Sequence, residues 1–234
     1  MSDNPFYFKQ FKVFHNNSAM KVGTDAVLLG AWTDASEADT ILEIGTGCGV
    51  IALMLAQKSF ALIDAVEIDE QSYYQAIQNF EMSPWKDRLN VINIDFKDFI
   101  LQHKTKYSLI VSNPPYYNKS LKSNDFRKNI ARHTDFLSFE VLAFGISKLM
   151  HDNGNASIIL PIKEFKIFSQ FAVINNLYCN KKTLVLPQVN RTPNRVLSLW
   201  SKSKSITEES YISLKDKEGN ISDEYKELTK DYYL

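Results

Sequence analysis

A chain of 234 residues, 44% hydrophobic and 23% charged, is long enough to bury one α/β core and need not be divided into two domains. Its 27 basic and 27 acidic residues cancel, which excludes a uniformly basic nucleic-acid binder. The two cysteines, Cys48 and Cys179, form neither a CxxC pair nor a Cys/His cluster, so no disulfide framework or metal site is expected. No apolar run has the length of a signal peptide core or a membrane span, which points to a cytoplasmic protein.

In chain order, residues 1–38 read as an accessory element. Phe11 and Val13 alternate with polar neighbours, and Thr24 is placed to cap a short helix running through Trp32. From about residue 39 to 201, short apolar runs alternate with helical patterns, the mark of βαβ units and a parallel sheet. The strand candidates begin with Ile41 to Ile44, Leu62 to Glu67, Val91 to Ile94, Leu109 to Val111 and Ala156 to Leu160. Helical spacing falls between them, over Gly49 to Lys58, Glu70 to Met82, Phe96 to His103, Phe136 to Met150 and Ile162 to Asn175.

The last two strand candidates, Thr183 to Leu186 and Val196 to Trp200, are separated only by a polar, Pro-containing segment and therefore read as an antiparallel hairpin. The expected architecture is a Rossmann-like, mostly parallel seven-stranded sheet ending in that hairpin, with helices on both faces. Residues 202–234 form an extension with a turn at Lys215 to Asn220 and a charged, helix-like stretch.

Charge is unevenly spread despite the zero balance. From Phe165 to Thr207 there is no Asp or Glu, whereas Lys166, Lys181, Lys182, Arg191, Arg195, Lys202 and Lys204 all fall inside. The acids return after Glu208, so the basic stretch remains a candidate RNA surface.

The first core strand runs into Glu43-Ile44-Gly45-Thr46-Gly47-Cys48-Gly49, and a helix follows. Glycines let a backbone turn sharply and approach a ligand closely. A dinucleotide fingerprint, G-x-G-x-x-G, would need glycine at position 50, where this chain has Val50. The G-x-G-x-G spacing with an upstream acid resembles the first motif of S-adenosylmethionine methyltransferases. That resemblance implies cofactor contacts from Gly45, Gly47, Gly49 and the Cys48 backbone, with Glu43 near the cationic end. A final hairpin is also found in Rossmann-like methyltransferases.

Glu67 ends the second core strand, where a carboxylate can accept from both ribose hydroxyls. Asp95 ends the third and suits the exocyclic amine of the cofactor adenine, with Phe96 offering an apolar wall. Asp69 reads as a helix N-cap. Glu67 or Asp95 taken singly could equally be a solvated strand end.

After the fourth core strand comes Asn113-Pro114-Pro115-Tyr116. A planar exocyclic nitrogen is a poor nucleophile because its lone pair is delocalised. If the Asn113 side-chain oxygen and the Pro114 carbonyl accept its two N–H bonds, the lone pair is freed for a methyl group. The prolines stiffen the turn and remove competing N–H donors, and Tyr116 offers a face for stacking. In-line transfer from a sulfonium needs positioning and no metal. A proline-rich turn ending a strand would explain the prolines alone.

With the glycine loop upstream, Asn-Pro-Pro-Tyr resembles methyltransferases acting on nucleobase exocyclic nitrogens or on glutamine side chains. Including Lys21-Val22-Gly23-Thr24-Asp25-Ala26-Val27-Leu28-Leu29, the chain is similar along nearly its whole length to the bacterial tRNA1(Val) adenine N6-methyltransferases. The resemblance implies methylation of adenine 37, beside the anticodon of a valine tRNA, and roles for Thr24 and Asp25 near the methionine end of S-adenosylmethionine. A protein glutamine, guanine N2 of rRNA and a non-catalytic RNA-binding role remain alternatives.

Lys119, Lys122, Arg127, Lys128 and Arg132 face one acid, Asp125, in the segment after Tyr116 and are candidate phosphate contacts, as are Arg191 and Arg195 in the hairpin. The anticodon loop of a tRNA is the expected partner. Its bases are already single-stranded, so presenting one costs less than flipping from a duplex.

Overall fold

The computed structural model describes residues 4–115 and 137–233. Tyr116, Lys119, Lys122, Arg127, Lys128 and Arg132 lie outside the described residues.

The elements in chain order are β1 (Phe6–Tyr7), β2 (Lys12–Val13), α1 (Thr24–Trp32), β3 (Thr40–Ile44), α2 (Val50–Lys58), β4 (Leu62–Glu67), α3 (Glu70–Glu81), β5 (Leu89–Asn93), α4 (Phe96–Gln102), β6 (Tyr107–Ser112), α5 (Phe139–Leu149), β7 (Met150–Pro161), α6 (Ile162–Ile174), β8 (Tyr178–Leu186), β9 (Arg195–Ser201), β10 (Glu208–Ser213) and α7 (Asp223–Thr229). Strands β1 and β2 pair with each other. The remaining eight form one sheet in the order β10-β8-β9-β7-β6-β3-β4-β5.

Alternation along each strand builds two cores. Ile41, Leu109, Val111 and Ile159 face one side, with α1, α2 and Phe80 of α3. Leu42, Ile44, Ile110, Ile158 and Leu160 face the other, with α4, α5 and α6. Helix α2 is buried from Val50 through Ala56, which suits its almost wholly apolar sequence. It can be so because both chain ends cover it. Tyr232 donates its hydroxyl to the Met54 carbonyl, the Gln57 amide donates to Asp231, and Phe8 stacks on Phe11 and Tyr233.

The β8–β9 hairpin is antiparallel, as its polar connection predicts. The seven-strand count is corrected. Strand β10, from the extension, pairs parallel to β8 over Glu208–Ser213 and makes an eighth strand. Lys182 to Glu209 at 2.6 Å joins the two across the pair, so a segment set apart by its acidity is drawn in partly by that acidity. Thr24 is corrected too. It is the first helical residue of α1, and Gly23 occupies the cap position without a side-chain bond. Asp69 does cap α3, accepting from the Ser72 N–H at 2.8 Å, a contact worth roughly 1 kcal/mol. Among the described residues no helix is long and apolar enough to cross a membrane.

Candidate functional site

Strand β3 has β4 on one side and β6 on the other, and β4 leads on to β5 while β6 leads on to β7. The chain thus changes direction between β3 and β6, the crevice where open α/β sheets bind ligands. The two strands are parallel with Ile44 opposite Ser112, and the Ser112 hydroxyl donates to the Ile44 carbonyl at 2.9 Å. Gly45 follows Ile44, and Asn113 follows Ser112. Both loops named by the sequence therefore leave adjacent strands at the same level, about 4.8 Å apart in the hydrogen-bonding direction. Asn113 and Pro115 are half-buried and Pro114 is buried.

The glycine loop is held from inside. Gly45, Gly47 and Gly49 have φ of 75°, 57° and 83°, a region that side chains disfavour. At Gly49 a Cβ would also meet the Phe80 ring at 2.5 Å. Gly49 is the N-cap of α2 but has no side chain to cap with. Glu43 supplies what is missing, accepting from the Ala52 N–H at 3.0 Å and from the Thr46 hydroxyl. Glu43 thus braces the loop that the sequence assigned to the cofactor. It is a buried cap whose hydrogen-bonded oxygen serves the loop, while its other oxygen, Oε1, is buried without a hydrogen-bond partner among the described residues. Burial pushes its carboxyl up to about 8, against the bonds from Thr46 and Ala52 and with the help of the Glu67 charge.

Glu67 also grips the loop. Its two oxygens accept from the Gly47 N–H at 2.7 Å and the Asp69 N–H at 2.9 Å. A carboxylate has about four lone-pair positions, so acceptor capacity remains for hydroxyl groups. Burial raises its pKa, against the same backbone bonds. Asp95 is the N-cap of α4, accepting from the Lys97 N–H at 2.8 Å, and the Ile94 N–H bond to the Glu67 carbonyl keeps the two strand ends together. Phe96 departs from expectation. Its ring lies in the second core, against Ile100 and Gly145, because α4 turns that face to α5. Cys48 is buried, and burial pushes its thiol up to about 12, leaving an inert side chain.

Thr24 is exposed at the start of α1. Asp25, next to it, accepts from Arg195 Nε at 2.9 Å. Arg195, expected as a phosphate contact, is thus also an ion-pair partner of α1, since β9 begins where the N-terminus of α1 lies. Arg191 is exposed in the β8–β9 connection.

The sequence reading missed Ser18, Ser72, Gln75 and Asn79. The last three are buried polar residues at helical spacing on α3, a stripe that should be apolar if the helix only packed on the sheet. That stripe was the available signal.

Residues 10–137 match the model of the methyltransferase small domain family. A tRNA1(Val) (adenine(37)-N6)-methyltransferase of Bacteroides fragilis is 42% identical over 235 residues, covering 100% of this chain and 99% of the relative. One of Pseudoalteromonas translucida is 43% identical, covering 98% of each chain. This chain belongs to that family. Its fold agrees with solved methyltransferases. A predicted O-methyltransferase from Agrobacterium tumefaciens superimposes with a TM-score of 0.64 at 16% identity, over 89% of this chain and 96% of the other. A putative RNA methyltransferase from Pyrococcus horikoshii gives 0.54 at 14% identity, over 77% and 82%. The family's methyl donor is S-adenosylmethionine, and the residues present fit it. Glu43 Oε1 is a buried oxygen without a hydrogen-bond partner among the described residues, and a Cβ at Gly45 would meet nothing within 4 Å, so the loop's outer side is open to a ligand.

Proposed function

We propose that this chain methylates N6 of adenine 37 in a valine tRNA, with Asn113, Pro114 and Tyr116 receiving the base. The observation that carries this reading is the register of Ile44 against Ser112, which starts the cofactor loop and the acceptor loop side by side. S-adenosylmethionine supplies an electrophilic methyl group on a sulfonium. The chain's own residues do the positioning. Asn113 Oδ1 and the Pro114 carbonyl hold the two hydrogens of the amine, so the nitrogen lone pair leaves the ring's conjugation. Neither Pro114 nor Pro115 has an N–H to compete for those acceptors. Tyr116 stacks on the base. Glu67 accepts from the ribose hydroxyls and Asp95 from the adenine amine of the donor, while Thr24 and Asp25 border its methionine end.

The anticodon loop is the proposed RNA element, contacted by Lys119, Lys122, Arg127, Lys128, Arg132 and Arg191 through phosphates. Its unpaired base needs no duplex opening. Unmodified tRNA is incubated with labelled donor and digested to nucleosides. Label in N6-methyladenosine is expected, lost when adenine 37 is replaced by guanine. Label in guanine N2 or in protein glutamine, or none at all, would overturn the assignment.

A further inference from the structure

The segment before α1 runs along α3 and is fastened to it by the missed polar stripe. The Ala19 N–H donates to the Ser72 hydroxyl at 3.1 Å, the Asn17 N–H to Gln75 Oε1 at 3.2 Å and the Phe14 N–H to Asn79 Oδ1 at 2.8 Å. Residues 72, 75 and 79 thus take residues 19, 17 and 14 in reverse order, which lays the segment antiparallel to the helix. Positions separated by three and four residues share a helix face, so one side of α3 forms a ladder for this strap.

The ladder also reaches the glycine loop. The Asn79 amide donates to the Phe14 carbonyl at 2.8 Å and to the Cys48 carbonyl at 2.7 Å, so one side chain ties strap and loop together. At the other end Ser18 Oγ approaches Ser72 Oγ at 3.2 Å and lies 3.6 Å from where a Gly47 Cβ would stand. Ser72 is bonded to Asp69, Asp69 through its N–H to Glu67, and Glu67 to the Gly47 N–H. Strap, helix and loop therefore close a continuous circuit of hydrogen bonds around Gly47 and Cys48.

We propose that Asn79 is a positioning residue for the cofactor loop, fixing the Cys48 carbonyl and holding residues 14–19 as a wall of the donor pocket. Both polar atoms of the Asn79 side chain are committed, Oδ1 to one N–H and Nδ2 to two carbonyls, and the residue is 1% exposed, so no water replaces it cheaply. Packing alone would be met by a leucine at this face. An amide is needed only to serve two carbonyls and one N–H at once. The inference rests on the donor-binding reading of the glycine loop.

Two measurements test it. In the wild-type protein, binding of S-adenosylhomocysteine is followed by calorimetry and by amide hydrogen exchange. The Phe14, Asn17 and Ala19 amides should gain protection, because ordering the loop orders the strap that shares Asn79. In Asn79→Ala, the KM for S-adenosylmethionine should rise about tenfold while kcat at saturating donor stays within about twofold and the KM for tRNA is unchanged. Gln75→Ala, which frees the Asn17 rung and a bond to Gln78 but leaves the Cys48 carbonyl held, should shift the donor KM in the same direction and less. Unchanged exchange at the three strap amides on S-adenosylhomocysteine binding would overturn the proposal even if Asn79→Ala fails to fold. So would a fall in kcat with the donor KM unaltered, the pattern of a merely structural residue. No calorimetric binding to wild type would instead remove the donor-binding reading itself.

Discussion

The glycine-loop region and the β8–β10 edge carry the chain's two strongest sequence signals, and the structure treats them differently. In the loop, the residues named by the motif stay together, with Glu43 and Glu67 bonding backbone N–H groups within a few residues of the turn. At the edge, the acid-free stretch from Phe165 to Thr207 does not become an unbroken basic face. Lys182 is paired with Glu209, Lys202 with Asp152 and Arg195 with Asp25, each acid coming from outside that stretch. Lys181 lies over the Trp32 ring, while Lys166, Arg191 and Lys204 are exposed. A motif whose turn is set by local backbone geometry survives folding as a unit. A charge pattern does not, because Coulomb attraction acts on whatever the fold brings near.

The sharpest break in that contrast would come at Asn113. Asn113→Ala should lower kcat by about a hundredfold to a thousandfold, roughly 2–4 kcal/mol of transition-state stabilisation, with donor affinity retained by calorimetry. A rate near wild type would detach the acceptor loop from the chemistry. Next is Glu67→Gln, which leaves either the Gly47 or the Asp69 N–H without its acceptor and weakens one ribose contact. The donor Kd should rise by about tenfold or more. If it does not, Glu67 only braces the turn.

Glu43 tests the loop through pH. A buried carboxyl raised to about 8 keeps its proton in the folded chain while the unfolded chain loses it near 4.5. The unfolded state then binds fewer protons, so stability present below pH 4.5 is lost as pH rises toward about 8. The slope is at most about 1.4 kcal/mol per pH unit for one proton. Glu67 is shifted in the same direction, so Glu43→Gln should flatten this slope and not abolish it. Denaturant midpoints between pH 5 and 8 give the answer, and an unchanged slope would mean that Glu43 is ionised in the fold.

Smaller effects are expected at the edge. A double-mutant cycle of Asp25→Asn and Arg195→Ala, read by urea unfolding, should return a coupling of about 0.5–1 kcal/mol for this partly exposed pair. Additive losses would mean the contact is incidental. Smallest is Arg191→Ala, which should raise the tRNA KM about twofold and reduce the salt slope of binding by about 1, since one phosphate contact is lost. Arg195→Ala showing the same salt signature as Arg191→Ala would restore the basic face that the ion pairs divide.

Much of the site was legible because its signals are short. Gly45, Gly47 and Gly49 turn a strand into a helix with local backbone geometry, and the apolar runs ending at Ile44 and Val111 place a loop after each strand. The antiparallel hairpin followed from a connection too short and polar to hold a crossover helix. The cap of α3 by Asp69 was equally local. What could not be read were contacts between residues far apart in number, such as Arg195 with Asp25 or Asn79 with Phe14.

By itself, then, the sequence determined the alternation of strands and helices, the glycine turn and the Asn-Pro-Pro turn, because these depend on side-chain period and on φ restrictions within a few residues. Only the tertiary structure decided that β10 joins the sheet, that Phe96 turns into the core, that Arg195 pairs with Asp25 of α1 and that Asn79 ties the strap to the glycine loop. Those outcomes depend on which unsatisfied polar groups and unmatched apolar faces meet once the chain has closed, and no window of neighbouring residues contains both members of such a pair.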